Sequence, residues 1–220
     1  MSSLLELLAY AISKTSRERK FAQFLALIAP KEHETIADIG VNTEEYSATD
    51  NYLEKHYTHP ERVTAIGEGD MSDFAKRYPA VHTVSGDGTL LPFADDAFDI
   101  AYSNAVIEHV GSRAAQHAFL GELLRIARRG YLTTPNRLFP IELHTRVPLL
   151  HLILSKRRFD AFLRMIGKEW AAGDYMYLLS EHELRSLFAD AGITDYTLIK
   201  NRSFGFPMTF TVIWKKKLSV

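Results

Sequence analysis

The residues best suited to chemistry stand at the ends of short apolar runs. Asp38 and Gly40 close TIADIG (35–40). Glu68 lies between Gly67 and Gly69 after VTAI (63–66). Asp87 sits within Gly86-Asp87-Gly88 after TVS (83–85), and Asn104 ends FDIAYSN (98–104), with Glu108-His109 just beyond. Glycines beside a carboxylate let a ligand approach the backbone. In open parallel sheets, ligands bind beyond the carboxyl ends of the strands. Four successive polar strand ends therefore make one site hypothesis.

Each of these residues carries an expected role beside a plainer one. A carboxylate at Glu68 can accept both ribose hydroxyls of a nucleoside in bidentate fashion. Asp70 competes for that role, and an acid here otherwise caps the helix that begins near Met71. Asp87 otherwise makes an Asx-turn. His109 can take a proton from a hydroxyl or amine, because the unperturbed imidazole titrates near neutrality. With Glu108 it otherwise faces substrate or caps a helix. A second polar cluster follows YLTT (131–134), where Asn136, Arg137, Glu142 and His144 crowd among Pro135, Phe139, Pro140 and Pro148. His144 joins His109 as a candidate catalytic residue, and Asn136, Arg137 and Glu142 are candidate substrate ligands. Arg137 or Arg146 can hold an anionic group, and loop pinning explains the same residues equally well.

These positions need a scaffold, and the chain is long enough to build one. Its 220 residues fit a single domain with a sizeable core, and 46% apolar and 24% charged residues are ordinary for a globular protein. A formal charge of -1 sets up no overall field to attract nucleic acid. The absence of cysteine excludes disulfides, thiolate chemistry and Cys-ligated zinc. No apolar run approaches the ~18 residues that span a bilayer. The first residues, MSSLLELLAYAISK, carry Glu6 within the apolar run and no basic residue before it, which makes a poor signal peptide. A cytoplasmic protein is expected.

Taken in order, residues 2–29 predict one or two amphipathic helices, with Ser16-Arg17-Glu18-Arg19-Lys20 between two apolar stripes. They cover the sheet, lid the site or touch a membrane surface. The stretch 35–40 predicts a first strand. After it, Asn42 is expected to fill a left-handed turn position, since Asn tolerates positive φ. In 47–57, Tyr46, Asn51, Tyr52 and His56 line a pocket or steady a helix start. Strands are predicted at 63–66, 83–85, 98–104 and 131–134. Between the last two, Ser112 caps a helix over 114–129 that packs Ala118, Phe119, Leu123, Ile126 and Ala127 and stops at Gly130. VPLLHLIL and KRRFDAFLRMIGKEW (147–170) predict two helices inserted before the next strand, a lid of the kind that selects substrate. Their alternation of apolar residues with Lys156-Arg157-Arg158 leaves peripheral contact with a lipid surface open. Ser180-Glu181-His182-Glu183 is a capping box, with Gly192 beyond the helix it starts. DYTLIKN (195–201) and MTFTVIWK (208–215) predict a closing hairpin through Gly205 and Pro207, with Lys215-Lys216-Lys217 as a solvated tail. Alternating strands and helices closing in a hairpin predict a three-layer α/β fold with a mostly parallel sheet.

The words Gly86-Asp87-Gly88, Leu91-Pro92-Phe93, Phe98-Asp99 and Asn104-Ala105-Val106-Ile107-Glu108-His109 together resemble class I S-adenosylmethionine-dependent methyltransferases, in the group called methyltransferase type 11. The resemblance runs from about Thr35 to Trp214. It implies a Rossmann-like seven-stranded sheet whose antiparallel last strand lies between the fifth and sixth. One methyltransferase domain (1–220) would then carry an N-terminal helical segment (1–30) and a helical lid at about 145–178. It also implies S-adenosylmethionine as cofactor, held by Asp38, Gly40, Asn42, Glu68, Asp87, Gly88 and Asn104, with Asp87 on the exocyclic amine of adenine. Leu91, Pro92 and Phe93 pack on the adenine face or in the core. The expected activity is direct methyl transfer to a small-molecule acceptor, a lipid-linked one included. Where the family shows a run of glycines, this chain has Gly40-Val41-Asn42-Thr43. That departure supports an alternative, a non-catalytic methyltransferase fold that binds or regulates a partner.

Overall fold

The structure is a computed structural model that describes residues 4–141, 145, 147–173 and 176–216, the side chains of 4–13 excepted. Seven strands form one sheet: β1 (Ile36–Ile39), β2 (Val63–Gly67), β3 (His82–Ser85), β4 (Phe98–Asn104), β5 (Ala127–Pro135), β6 (Tyr196–Ser203) and β7 (Phe206–Lys215). Their order is β3-β2-β1-β4-β5-β7-β6. The pairs among β1 to β5 are parallel, whereas β7 runs antiparallel to both β5 and β6. The expected α/β architecture and the inserted antiparallel strand are both present.

Helices cover both faces, which is why the central strands are apolar throughout rather than alternating. All four residues of β1 are buried. On one face α1 (Leu4–Ile28), α2 (Tyr52–His56) and α3 (Ser72–Arg77) pack Phe24, Leu53 and Phe74 against Ile36, Ala65 and Tyr102. On the other, α4 (Arg113–Ile126) and α7 (Glu181–Asp190) pack Phe119, Leu123, Leu184 and Phe188 against Ile39, Ala101 and Trp214. The capping box of α7 forms as expected: Ser180 Oγ accepts from the Glu183 amide, and the Glu183 side chain accepts from the Ser180 amide. Among the described residues, no helix is long and apolar enough to cross a membrane.

Of the one or two helices expected over 2–29 the structure has one, because α1 continues through the polar stretch 16–20 to Ile28; other local expectations need correction. Lys20 is buried there and its carbonyl accepts a hydrogen bond from Tyr131 Oη at 2.8 Å. The helix predicted over 114–129 ends at Ile126, and Ala127–Arg129 belong to β5, where register with β4 and β7 overrides helical periodicity. Gly130 is therefore not a helix stop. A Cβ there would lie 2.0 Å from Trp214 Cζ2, so glycine lets the indole cross the strand. Within α4, Ala118 is exposed, and Leu120 and Leu124 take the apolar role instead. Finally, Lys216 is no free tail, because its Nζ binds Asp96 and the Arg125 carbonyl.

The insertion contains α5 (Leu150–Ile153) and α6 (Lys156–Met165) around a small core of its own: Val147, Phe159, Leu163 and Ala171.

Candidate active site

A cavity of about 810 Å³ opens at the carboxyl ends of β1, β2 and β4. Its volume falls in the range of small-molecule sites. Gly40 makes the turn out of β1 with φ +92°, and a Cβ there would meet Val106 Cγ1 at 2.4 Å. Backbone and Val106 thus close on each other at the cavity wall. Ala105, also lining the cavity, holds φ +62°, a costly conformation for a residue with a side chain. Its amide is secured by the Thr133 carbonyl at 3.0 Å.

Asn42 does not occupy the left-handed region; Asn51 does, with φ +49°. The Asn51 side chain spans the loop, accepting from the Asn42 amide at 2.9 Å and donating to the Asn42 carbonyl at 2.8 Å and to Glu45 at 3.1 Å. The loop keeps its path with one glycine because a side-chain amide replaces the missing backbone freedom.

Asp38, Gly40, Asn42, Glu68, Gly88, Asn104 and His109 all line the cavity. Glu68 is exposed at the end of β2. Asp70, its competitor, is committed elsewhere: Oδ1 accepts from the Ser72 amide and hydroxyl at 2.9 and 2.5 Å, which opens α3 and lowers the Asp70 pKa. Asp87 lies beside the cavity, its flanking Gly86 and Gly88 on the wall. Its Oδ1 accepts from the Thr89 amide and hydroxyl, both at 2.7 Å, and these bonds lower its pKa. The Asx-turn is thus present. Asn104 Oδ1 accepts from Thr133 Oγ1 at 2.7 Å. His109 Nε2 stands 4.0 Å from Oε1 of Glu108, whose Oε2 accepts from Thr134 Oγ1 at 3.0 Å.

Asn136 and Arg137, the described members of the second polar cluster's candidate set, do not line this cavity. Asn136 is buried, donates to the Pro207 carbonyl at 2.8 Å and accepts from the Leu138 amide at 3.0 Å. Arg137 pairs with Glu183 at 2.7 Å. Both hold the loop after β5 in place. Glu142, His144 and Arg146 lie outside the described residues. Leu91 is buried in the core and Phe93 stacks edge-on against Phe98 at 4.9 Å, so neither reaches the cavity. Of the four residues in the 47–57 region, Tyr46, Asn51 and Tyr52 line the cavity, while His56 packs on Tyr52 and Phe21.

Two contributors carried no usable sequence signal. Arg17 of α1 reaches the cavity wall, donates to the Thr49 carbonyl at 2.8 Å and sits 3.5 Å from Asp50. It is the only Lys or Arg among the described lining residues. Glu54 of α2 is buried behind Asp38, and apart from the Asp38 carboxyl neither of its oxygens meets a hydrogen-bonding side chain. Burial, then the Glu54 charge, raises the Asp38 pKa well above the usual carboxylate range, and burial raises Glu54 too.

A parallel sheet with this strand order, a glycine turn after β1 and acids ending β1 and β2 defines a Rossmann-like methyltransferase domain. A methyltransferase-domain family model matches residues 38–133, from the first acid of the site through the middle of β5. Over that stretch the chain is similar to class I S-adenosylmethionine-dependent methyltransferases of the type 11 group. Solved structures share the fold. A SAM-dependent methyltransferase from Methanosarcina mazei is 19% identical with a TM-score of 0.53, covering 84% of this chain and 92% of its own. One from Thermotoga maritima, described as a possible histamine N-methyltransferase, is 17% identical with a TM-score of 0.58, covering 96% and 92%. The N-terminal domain of EvdMO1, solved with SAH bound, is 14% identical with a TM-score of 0.54, covering 91% and 81%. No curated protein matches the chain significantly.

The donor set fits the cofactor. S-adenosylmethionine brings two cationic centres, a carboxylate and a ribose diol. The wall offers acids at Asp38 and Glu68, and one guanidinium at Arg17.

Proposed function

We propose that the chain transfers a methyl group directly from S-adenosylmethionine to a small-molecule acceptor. The observation that carries this reading is the convergence of Asp38, Glu68, Asn104 and His109 on one cavity at the strand ends. Glu68 would accept the ribose hydroxyls, Arg17 would hold the cofactor carboxylate, and Asp87 with the backbone beyond Gly88 would meet the adenine edge. When bound, the cofactor would supply an electrophilic sulfonium methyl for direct transfer. His109, at the cavity edge, takes the proton the acceptor gives up. Much of the rate then comes from alignment, since a sulfonium methyl is already electrophilic.

Calorimetric titration with S-adenosylmethionine and S-adenosylhomocysteine tests this, beside Glu68→Ala and Asp87→Ala. Micromolar binding that either variant weakens at least about tenfold supports it. Absence of binding to both ligands would favour a non-catalytic role for the fold.

A second reading concerns where the acceptor resides, and the insertion favours a lipid-linked one. Eight of the fourteen strongly exposed large apolar residues among those described fall between Leu138 and Trp170, with Ile153 at 75% and Met165 at 76%. Residues 147–173 carry five Lys or Arg against two acids in a chain of net charge -1. Arg157, Arg158 and Arg164 are exposed. Aliphatic side chains beside arginines suit an anionic lipid surface rather than nucleic acid, whose phosphates offer nothing to Ile153 or Met165. Flotation with anionic vesicles at low salt should retain the protein, and Arg157→Glu with Ile153→Asp should release it. No flotation would remove the lipid reading and leave a free small molecule.

A further inference from the structure

We infer that cofactor binding displaces a proton from a buried carboxyl pair, Asp38 and Glu54, with Glu54 acting as a positioning residue. This rests on reading the cavity as the S-adenosylmethionine site. Asp38 ends β1 on the cavity wall and is only 7% exposed, while Glu54 of α2 lies behind it, 6% exposed and away from the lining. No Lys or Arg among the described residues pairs with either. Lys55 is engaged with Glu45 at 2.9 Å and Arg17 with Asp50 at 3.5 Å. Tyr102 from β4 faces both carboxyls, and Glu45 from the loop and Tyr78 beyond α3 face Glu54. None of these supplies a full positive charge at the carboxyls.

Two neighbouring buried carboxyls without a cation cannot both ionise, so the pair keeps one proton between them. Both are pushed upward from their ordinary range, Asp38 by burial and then by Glu54, and Glu54 by burial first. A ligand cation against Asp38 supplies the missing counter-charge. The second carboxyl then ionises, its O–H bond breaks, and the proton passes to solvent as the cation binds. Glu54 touches no ligand in this scheme; it sets how tightly Asp38 holds the proton that the ligand must expel.

The test is calorimetry with S-adenosylmethionine and S-adenosylhomocysteine in buffers of different protonation enthalpy, for the wild type and Glu54→Gln. The wild type should release about one proton and lose affinity about tenfold per pH unit below the titration of the pair. Glu54→Gln, which removes the Glu54 charge while burial still acts on Asp38, should move the pH profile to lower pH and reduce the number of protons released near neutrality. A merely structural role for Glu54 would lower affinity at every pH and leave the proton count unchanged, overturning the inference. Binding with a buffer-independent enthalpy in the wild type would overturn it while sparing the cofactor reading. Binding of neither ligand would overturn both. Infrared spectroscopy gives a check that needs no variant: a protonated carboxyl band should be present in the free protein and vanish on binding. Its absence from the free protein would also sink the idea. If S-adenosylhomocysteine releases the same proton, the ammonium faces Asp38; if only S-adenosylmethionine does, the sulfonium does.

Discussion

Asn51 grips Asn42 with both halves of its amide, at 2.9 Å to the amide nitrogen and 2.8 Å to the carbonyl. This pairing shapes the first loop of the site with Gly40 as its one glycine. Asn51→Ala removes both bonds and places alanine at φ +49°, so it should cost about 2–3 kcal/mol of stability. Cofactor affinity should fall further than stability alone explains. Thermal denaturation and titration of the same preparation separate the two effects.

Gly40 is a position where two penalties coincide. Gly40→Ala brings a methyl 2.4 Å from Val106 Cγ1 and forces an alanine to φ +92°. Destabilisation of at least about 2 kcal/mol is expected, with cofactor binding lost. Adding Val106→Ala should recover only the steric part. Full recovery of stability in the double variant would show that the backbone angle costs little.

Glu68 and Asp70 should separate cleanly although they are two residues apart. Glu68→Ala should weaken cofactor binding at least about tenfold and leave stability near that of the wild type. Asp70→Ala should cost about 1 kcal/mol through the loss of the Ser72 contacts that open α3, with affinity almost unchanged. The reversed pattern would reassign the ribose contact.

Lys20 supplies a pH signature. Burial first, then Arg17, depresses its ammonium to about 7, against an opposing pull from Glu108. Its folded pKa lies below its unfolded value, so the unfolded chain binds more protons between the two. Stability contributed by this group therefore rises as pH climbs from about 7 to about 10, and the cost of burying the charge is fully present below 7. Lys20→Met should flatten that rise and stabilise the protein near neutral pH by as much as about 4 kcal/mol. Chemical denaturation across the pH range measures both. An unchanged slope would show that another group carries it.

Much of the frame was legible because it is local. Strand ends at Asp38, Glu68, Asp87 and Asn104 are marked by apolar runs that stop at glycines and acids, and the capping box at Ser180 and Glu183 is a three-residue pattern. The misreadings came from places where partners distant in sequence decide. Ala127–Arg129 continue a helical pattern, yet pairing with β4 and β7 draws them into β5. Gly130 looks like a helix stop until Trp214, far along the chain, is seen crossing it.

The site divides in the same way. Sequence alone determined which acids and amides end the parallel strands, because period and punctuation are short-range properties. Only the tertiary structure decided which of them share a cavity. It brought Arg17 from α1 to the wall and set Glu54 behind Asp38. It turned Asn136 and Arg137 away to pin the loop after β5. The reason is physical: a carboxyl's charge state and a guanidinium's reach depend on what burial places beside them, and burial is settled by packing between segments far apart in the chain.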